Sequence, residues 1–189
     1  SDTPRPGNAK FKKLTPVDPN STNPYQLTEA DRTVIGNTTP KFSGGFGLNA
    51  TYKGFDMSMF FNFMYDFDVL NANKIMLTTW ADNKENNFLM DIASDKRWRN
   101  FDDMGNEIRY SPEVLAEFNK NATMWNPTSI GRPICMSYAV EDGSFLRLNS
   151  ATLGYTLPSV WTKKVGLSKV RFYVSGNNLF TLTGYSGYD

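Results

Sequence analysis

Two alternating runs in residues 41–66 constrain the fold of this chain more than any other feature. Apolar side chains alternate with polar residues or glycine for about ten positions on each side of Lys53-Gly54, which is the period and length of a strand in a membrane barrel. Strands of soluble proteins usually end after about five or six residues. Residues 41–66 therefore predict two long antiparallel strands of a membrane barrel, joined by a two-residue turn.

The second strand of this hairpin has the stronger pattern. One of its faces carries only apolar and aromatic side chains, and we expect that face to contact lipid. Its residues are Phe55, Met57, Met59, Phe61, Phe63 and Tyr65. The opposite face is polar except for Phe60 and Met64, and we expect it to line the lumen.

Two further strands are predicted after a long interruption. In residues 137–157 neither face is uniformly apolar, which indicates a bulge or a partly covered surface. In residues 169–180 the alternation is regular again, with Val170, Phe172 and Val174 on one face. We thus predict a loop segment at 1–40 and one partial barrel domain at 41–189, with strands near 41–53, 55–66, 137–157 and 169–180 and a long loop at 67–136.

Short helices are expected inside the long loop. Residues 86–98 place Phe88, Leu89 and Ile92 at helical spacing. A second helix is predicted to begin at Ser111-Pro112 and to run to residue 120, because serine favours the N-cap position and proline the first turn.

Aromatic and cationic side chains are concentrated in the same loop. Rings beside arginines can stack sugars or peptide side chains, or can pack a long loop onto itself. Both interpretations stay open at this point. The residues concerned are Trp80, Trp98, Trp125 and Arg132.

The composition excludes several classes of function. The chain has no histidine and one cysteine, Cys135, so it lacks the usual nucleophile–base pairs and a zinc site, and we predict neither an enzyme nor a cofactor. The 20 basic and 19 acidic residues nearly balance, which argues against a nucleic-acid partner. A calcium-loop frame beginning at Asp18 has Asn23 where the loop requires glycine, so a polar loop is the simpler interpretation and no metal site is predicted.

The lengths of the connections suggest an orientation. A two-residue turn, a loop of some seventy residues and a short turn follow one another along the chain. Bacterial outer-membrane barrels alternate short periplasmic turns with long extracellular loops in this way. The loop at 67–136 is therefore predicted to be extracellular.

Three blocks of residues resemble the C-terminal part of the SusC/RagA family of TonB-dependent outer-membrane transporters. The first block runs from Asp31-Arg32 through Pro40-Lys41-Phe42 to Tyr52-Lys53-Gly54-Phe55-Asp56. The second comprises residues 142–148 and 153–158, and the third comprises residues 175–181 and 185–189. They occur in the family's order and cover most of the chain.

The resemblance implies a fold, a place and partners. The fold is all-β, with antiparallel strands of a large transmembrane β-barrel and long extracellular loops that carry short helices, in the outer membrane of a Gram-negative cell. The whole protein would import oligosaccharides or peptides with a SusD-like surface lipoprotein as lid and would contact TonB through a plug segment that this chain lacks. Trp80, Trp98, Trp125 and Arg132 become candidate contacts for ligand or lid, and Phe60 and Met64 candidate contacts for the plug.

The length sets a limit to this interpretation. There is room for about four full strands, whereas large outer-membrane transporters have about 22, so we expect the chain to be part of a longer protein. Alone, its two open sheet edges would favour aggregation or a different fold. The alternative is a soluble or surface β-rich carbohydrate-binding module, which would be monomeric without detergent.

Overall fold

The computed structural model describes residues 5–23, 26–79, 87–92, 95–129 and 134–188. The described chain divides into two compact units. The loop unit comprises Ser1–Ile35 and Asn71–Ala139, and the sheet unit comprises Gly36–Leu70 and Val140–Asp189. In the described part of the chain, no helix is long and apolar enough to cross a membrane.

The sheet unit is built from antiparallel strands. The elements are β1 (Phe42–Tyr52), β2 (Phe55–Tyr65), β3 (Asp68–Leu70), β4 (Val140–Asp142), β5 (Phe145–Thr156), a short helix at Ser159–Lys163, and β6 (Arg171–Thr183). A four-stranded sheet has the order β1-β2-β5-β6, and a separate two-stranded ladder pairs β3 with β4. Antiparallel strands thus dominate, as predicted.

The conformation of the turn between β1 and β2 is explained by its two residues. Lys53 and Gly54 both have positive φ, at 46° and 91°, as the two-residue hairpin turn that matches the strand twist requires. Glycine adopts this conformation without strain. The register that results pairs Tyr52 with Phe55 and Phe42 with Tyr65, so both arms put their apolar residues on one face.

A bulge in β5 explains why its sequence pattern was mixed. Phe60 pairs with Ser150 and Phe61 with Leu148, so Asn149 is an extra residue opposite β2. The bulge shifts the alternation by one position: Leu146 and Leu148 precede it on the same face that Ala151, Leu153 and Tyr155 occupy after it. The bulge predicted from the mixed pattern is confirmed.

The strand predicted at 137–157 has a more complex beginning. Ser137–Ala139 form a turn of 3-10 helix, Val140–Asp142 pair with β3 as β4, and only Phe145 begins the long strand. Gly143 separates the two strands, and its amide donates to the Phe67 carbonyl at 2.8 Å. A Cβ on Gly143 would lie within 2.6 Å of the Phe67 ring, so only glycine fits.

The loop unit holds most of the buried apolar side chains among the described residues. Its apolar core is small and consists of Ile75, Ile92, Ile108, Met136 and Ala139. Two short helices frame it, α1 (Ala72–Met76) and α2 (Pro112–Phe118). Helix α2 has Ser111 as N-cap and proline in its first turn, which confirms the predicted helix start.

The helix predicted over residues 86–98 is wrong within the described part of that range. Only Met90–Ile92 form a single turn of 3-10 helix there. The backbone amides are used elsewhere: Leu89 donates to the Leu77 carbonyl at 3.2 Å, and Trp98 donates to the Met124 carbonyl at 2.9 Å. Hydrogen bonds to other segments have replaced the helical ones.

Candidate functional site

Two of the four predicted ligand contacts line one cleft of the loop unit. Trp98 and Trp125 both border a cleft of about 230 Å³, while Trp80 and Arg132 lie outside the described residues. The full lining is Gly7, Asn8, Ala9, Lys10, Trp98, Ala122, Thr123, Met124 and Trp125.

Backbone hydrogen bonds from distant segments bring the two tryptophans together. The amides of Thr123 and Met124 both donate to the Lys96 carbonyl, at 2.9 and 3.0 Å, and the Trp98 amide donates back to the Met124 carbonyl. The N-terminal segment closes the cleft because the Asn126 amide donates to the Gly7 carbonyl at 2.8 Å. The cleft is therefore held by main-chain bonds rather than by side chains.

Gly7 lies directly against the Trp98 ring. Its φ is +86°, and a Cβ at this position would stand 2.8 Å from the indole Cγ and Nε1 atoms. Any larger residue would be strained and would displace the ring. The Trp98 indole N–H donates to the Asn100 Oδ1 at 3.3 Å, so this donor is already used within the protein.

Trp125 is tied to the interior of the loop unit. Its indole N–H donates to the Thr78 carbonyl at 3.3 Å. Its ring meets Tyr138 edge-on, with centroids 5.0 Å apart and an interplanar angle of 80°. The Tyr138 hydroxyl in turn donates to Asp91 at 3.0 Å, and the Lys74 ammonium lies 4.5 Å from the Tyr138 ring centroid.

These contacts limit what the cleft can do chemically. Both indole N–H groups have partners within the protein, so the rings are available for stacking or apolar contact with a ligand rather than for donating hydrogen bonds. Lys10 is exposed at the rim. Within the described ranges, no group of three or more His, Cys, Asp or Glu residues could hold a metal ion.

Asp31, the first residue of the family's Asp-Arg pair, organises the N-terminal segment of the loop unit. Its carboxylate accepts hydrogen bonds from the amides of Leu14, Thr15 and Thr28, at 2.8 to 2.9 Å, and from both threonine hydroxyls. Only 4% of its side chain is exposed. The backbone hydrogen bonds from Thr15 and Thr28 are the main causes that hold the pKa of Asp31 well below its ordinary value of 3.8.

Replacing Asp31 with Asn in the full-length protein should loosen this segment. Hydrogen exchange of the Leu14, Thr15 and Thr28 amides should speed up on the order of tenfold or more, because buried charge-assisted hydrogen bonds are lost. Since the pKa is lowered on folding, the carboxylate stabilises the segment above pH 3.8 and this contribution is lost as pH falls toward the folded pKa. Asp31→Asn should abolish that pH dependence.

The matched control for this prediction is Glu29→Gln. Glu29 is paired with Arg32 across an exposed surface, with about four-fifths of each side chain in solvent, and such pairs contribute little. Exchange at the three amides should therefore stay at the wild-type rate. Equal exchange in Asp31→Asn and wild type would show that the carboxylate is not what holds the segment.

The sheet unit contributes two surfaces of opposite chemistry. The register places every predicted lipid-facing residue of β2 on one face, which continues across β1, β5 and β6. We call this the apolar face. Its large side chains are Phe42, Phe46, Leu48 and Tyr52 of β1, Phe55, Met57, Met59, Phe61, Phe63 and Tyr65 of β2, Leu146, Leu148, Leu153 and Tyr155 of β5, and Phe172, Val174, Phe180 and Leu182 of β6.

Most large side chains of the apolar face are exposed, although Leu148 is buried, and the face carries no charged residue. Phe172 and Val174 are 64% and 68% exposed, and Phe42 is 60% exposed. An aromatic row crosses all four strands at the end where the short turns lie, and consists of Tyr52, Phe55, Tyr155 and Phe172. Rows of this kind mark the boundary between hydrocarbon and headgroups in membrane barrels.

The opposite, polar face contains an ion pair that sequence reasoning missed. Asp56 and Arg171 form a two-point salt bridge, with the Arg171 Nε donating to Asp56 Oδ1 at 2.9 Å. It lies over Gly154, where a Cβ would approach Asp56 Oδ2 to 2.7 Å. The two residues are 115 positions apart, so only the strand order, together with the alternation of each strand, could have predicted their pairing.

Phe60 fills a gap left by glycine on the same polar face. A Cβ on Gly45 would stand 2.9 Å from the Phe60 ring. Phe60 pairs with Gly47 across the strands and remains 45% exposed. The ring thus lies over two glycines of β1, and the predicted contact with a plug remains a prediction.

Relatives of known class match most of the chain. The TonB-dependent receptor P3 of Formosa agariphila is 35% identical over 164 residues, which are 87% of this chain and 14% of that protein. The TonB-dependent receptor P39 of the same organism is 26% identical over 160 residues, or 84% of this chain and 14% of that protein. The chain therefore spans about 14% of the length of these relatives. No protein-family model matches it.

Solved structures share the fold of this chain. The RagAB peptide transporter is 23% identical with a TM-score of 0.58, and the match covers 80% of this chain and 14% of that chain. The RagAB peptide importer in its open-open state is 24% identical with a TM-score of 0.61, covering 87% and 16%. The chain is thus similar to TonB-dependent receptors over most of its length. The resemblance to TonB-dependent transporters is therefore confirmed, and the RagAB structures share the fold of this chain.

Proposed function

We propose that this chain is part of the barrel wall and extracellular loops of a TonB-dependent importer in the outer membrane of a Gram-negative cell. The observation that carries the proposal is the apolar face, which continues across four strands and is largely exposed. A soluble carbohydrate-binding module would bury such a face or aggregate. The curated relatives, both TonB-dependent receptors, support the importer over the soluble module.

In this proposal β1, β2, β5 and β6 are consecutive strands of a large closed barrel. Their apolar face contacts lipid and their polar face lines the lumen, as in other transmembrane barrels. The open edges of β1 and β6 are paired with strands of the longer protein, because unpaired edges are not tolerated in hydrocarbon. The loop unit is extracellular, and the turn at Lys53-Gly54 and the β5–β6 connection are periplasmic.

The imported ligand is an oligosaccharide or a peptide, and a SusD-like lipoprotein closes the barrel from outside. The solved relatives named as peptide importers support the peptide class. The cleft of Trp98 and Trp125 is our candidate contact for ligand or lid, together with Trp80 and Arg132. Its half-buried rings suit either a peptide or a sugar.

Uptake by whole cells tests the proposed function. Cells that express the full-length protein with its lipoprotein should accumulate either labelled oligopeptides or labelled oligosaccharides. Accumulation should stop when the proton-motive force is collapsed or TonB is deleted. Uptake that continues without TonB, or no specific uptake of either class, would contradict the proposal.

A further inference from the structure

The connection between β5 and β6 exposes several large apolar side chains. Four large side chains of residues 158–170 are at least half exposed: Val160 at 68%, Trp161 at 60%, Val165 at 70% and Leu167 at 50%. Lys163, Lys164 and Lys169 are interleaved with them. These residues contain no aspartate or glutamate, so the segment carries three positive charges and no negative one.

The connection is nevertheless ordered by its own hydrogen bonds. Thr162 is 2% exposed, and its carbonyl accepts from the amides of Val165 and Leu167 at 3.2 and 3.0 Å. The Leu157 amide donates to the Val170 carbonyl at 2.9 Å and closes the base. The backbone of the connection is thus held by hydrogen bonds, while its large apolar side chains remain exposed to solvent.

The connection leaves and rejoins the sheet next to the aromatic row of the apolar face. β5 ends one residue beyond Tyr155 and β6 begins one residue before Phe172, and both rings belong to the aromatic row of the apolar face. The ring centroids of Phe55 and Tyr155 in that row are 4.4 Å apart. A segment that leaves the sheet at this row emerges at the depth of the lipid headgroups, if the apolar face contacts hydrocarbon.

We propose that the β5–β6 connection is a membrane-surface anchor that binds anionic phospholipids of the periplasmic leaflet. Val160, Trp161, Val165 and Leu167 enter the interface between headgroups and acyl chains, as apolar side chains of interfacial segments do. Lys163 and Lys164 bind the headgroup phosphates, since basic residues beside a membrane favour anionic lipid. This inference rests on the proposed function, because it needs the apolar face to lie in the bilayer.

Quenching by brominated lipid in nanodiscs tests the anchor. The full-length protein, with Cys135→Ser and its other cysteines replaced, carries an environment-sensitive dye on Val165→Cys. Brominated phosphatidylglycerol should quench the dye with a higher association constant than brominated phosphatidylcholine, on the order of fivefold for each lysine engaged. Lys163→Gln/Lys164→Gln should bring the two constants together.

Control variants separate the anchor from the proposed function. Lys12→Gln/Lys120→Gln removes the same charge from exposed positions of the loop unit and should leave the preference for phosphatidylglycerol unchanged. A dye on Leu153→Cys of the apolar face reports whether the sheet lies in lipid at all. If Leu153 is not quenched, the proposed function fails.

If Leu153 is quenched and Val165 is not, only the anchor is overturned. Equal quenching of Val165 by both lipids, unaffected by the lysine substitutions, would also overturn it. That result would mean that the connection contacts the membrane through its apolar side chains and that its lysines do not recognise the negative charge of the headgroups.

Discussion

Met59→Arg should destabilise the full-length protein by about 2–4 kcal/mol, or prevent its assembly, because an arginine at the middle of a lipid-facing strand must enter hydrocarbon. Met59 pairs with Leu48 on one side and with Ala151 on the other, so it lies near the middle of the apolar face. Urea unfolding from lipid vesicles measures the free energy of unfolding. Heat-modifiable migration on gels measures the assembled fraction.

The adjacent residue provides the matched control. Ser58 lies on the polar face, where it pairs with Asn49 and Thr152. Ser58→Arg adds the same side chain one position away and should change the free energy of unfolding by less than about 1 kcal/mol, since the lumen is hydrated. Equal effects of the two substitutions would mean that the two faces do not differ in environment.

Trp125→Ala should have the largest effect in the loop unit. It removes the hydrogen bond to the Thr78 carbonyl and the edge contact with Tyr138. Because the side chain is only half-buried, we expect a local loss of about 2–3 kcal/mol, below the range for a fully buried tryptophan. Hydrogen exchange of the Thr78 and Ala139 amides in the full-length protein measures this loss.

A second substitution separates ligand contact from loop packing. Trp98 borders the same cleft, where its ring lies against Gly7, its indole N–H donates to Asn100 and its amide donates to the Met124 carbonyl. Trp98→Ala should therefore lower the affinity for peptide or oligosaccharide with less effect on exchange at Thr78 and Ala139. If Trp98→Ala binds the ligand with unchanged affinity, the two tryptophans only pack the loop and do not contact ligand.

The alternation of apolar and polar residues was sufficient to predict the two faces of β2, because successive side chains of a strand point to opposite faces. Residues 41–66 also contain their own turn, since Lys53 and Gly54 both take positive φ. The bulge at Asn149 was predicted only in outline. A bulge shows in a sequence as a break in the pattern, but the residue at which the phase changes depends on the neighbouring strands.

The candidate site was harder to predict than the sheet. Its hydrogen bonds join Gly7 to Asn126 and Lys96 to Thr123, and no local pattern records such pairings. Long-range bonds of the same kind explain the wrong helix at 86–98, where Ile92 is buried in the loop core and the Leu89 amide donates to the Leu77 carbonyl. Tertiary hydrogen bonds override weak local propensity in short segments.

Lipid contact along β5 tests the central claim most directly. Cysteines placed one at a time at residues 146–155 of the full-length protein, each carrying a spin label, report accessibility to oxygen in the bilayer and to a polar reagent in water. Oxygen should be preferred at Leu146 and Leu148 and again at Ala151, Leu153 and Tyr155, with the phase changing at Asn149. Accessibility to the polar reagent at all of these positions, or oxygen preference at Arg147, Ser150 and Thr152 instead, would contradict the placement of the apolar face in lipid.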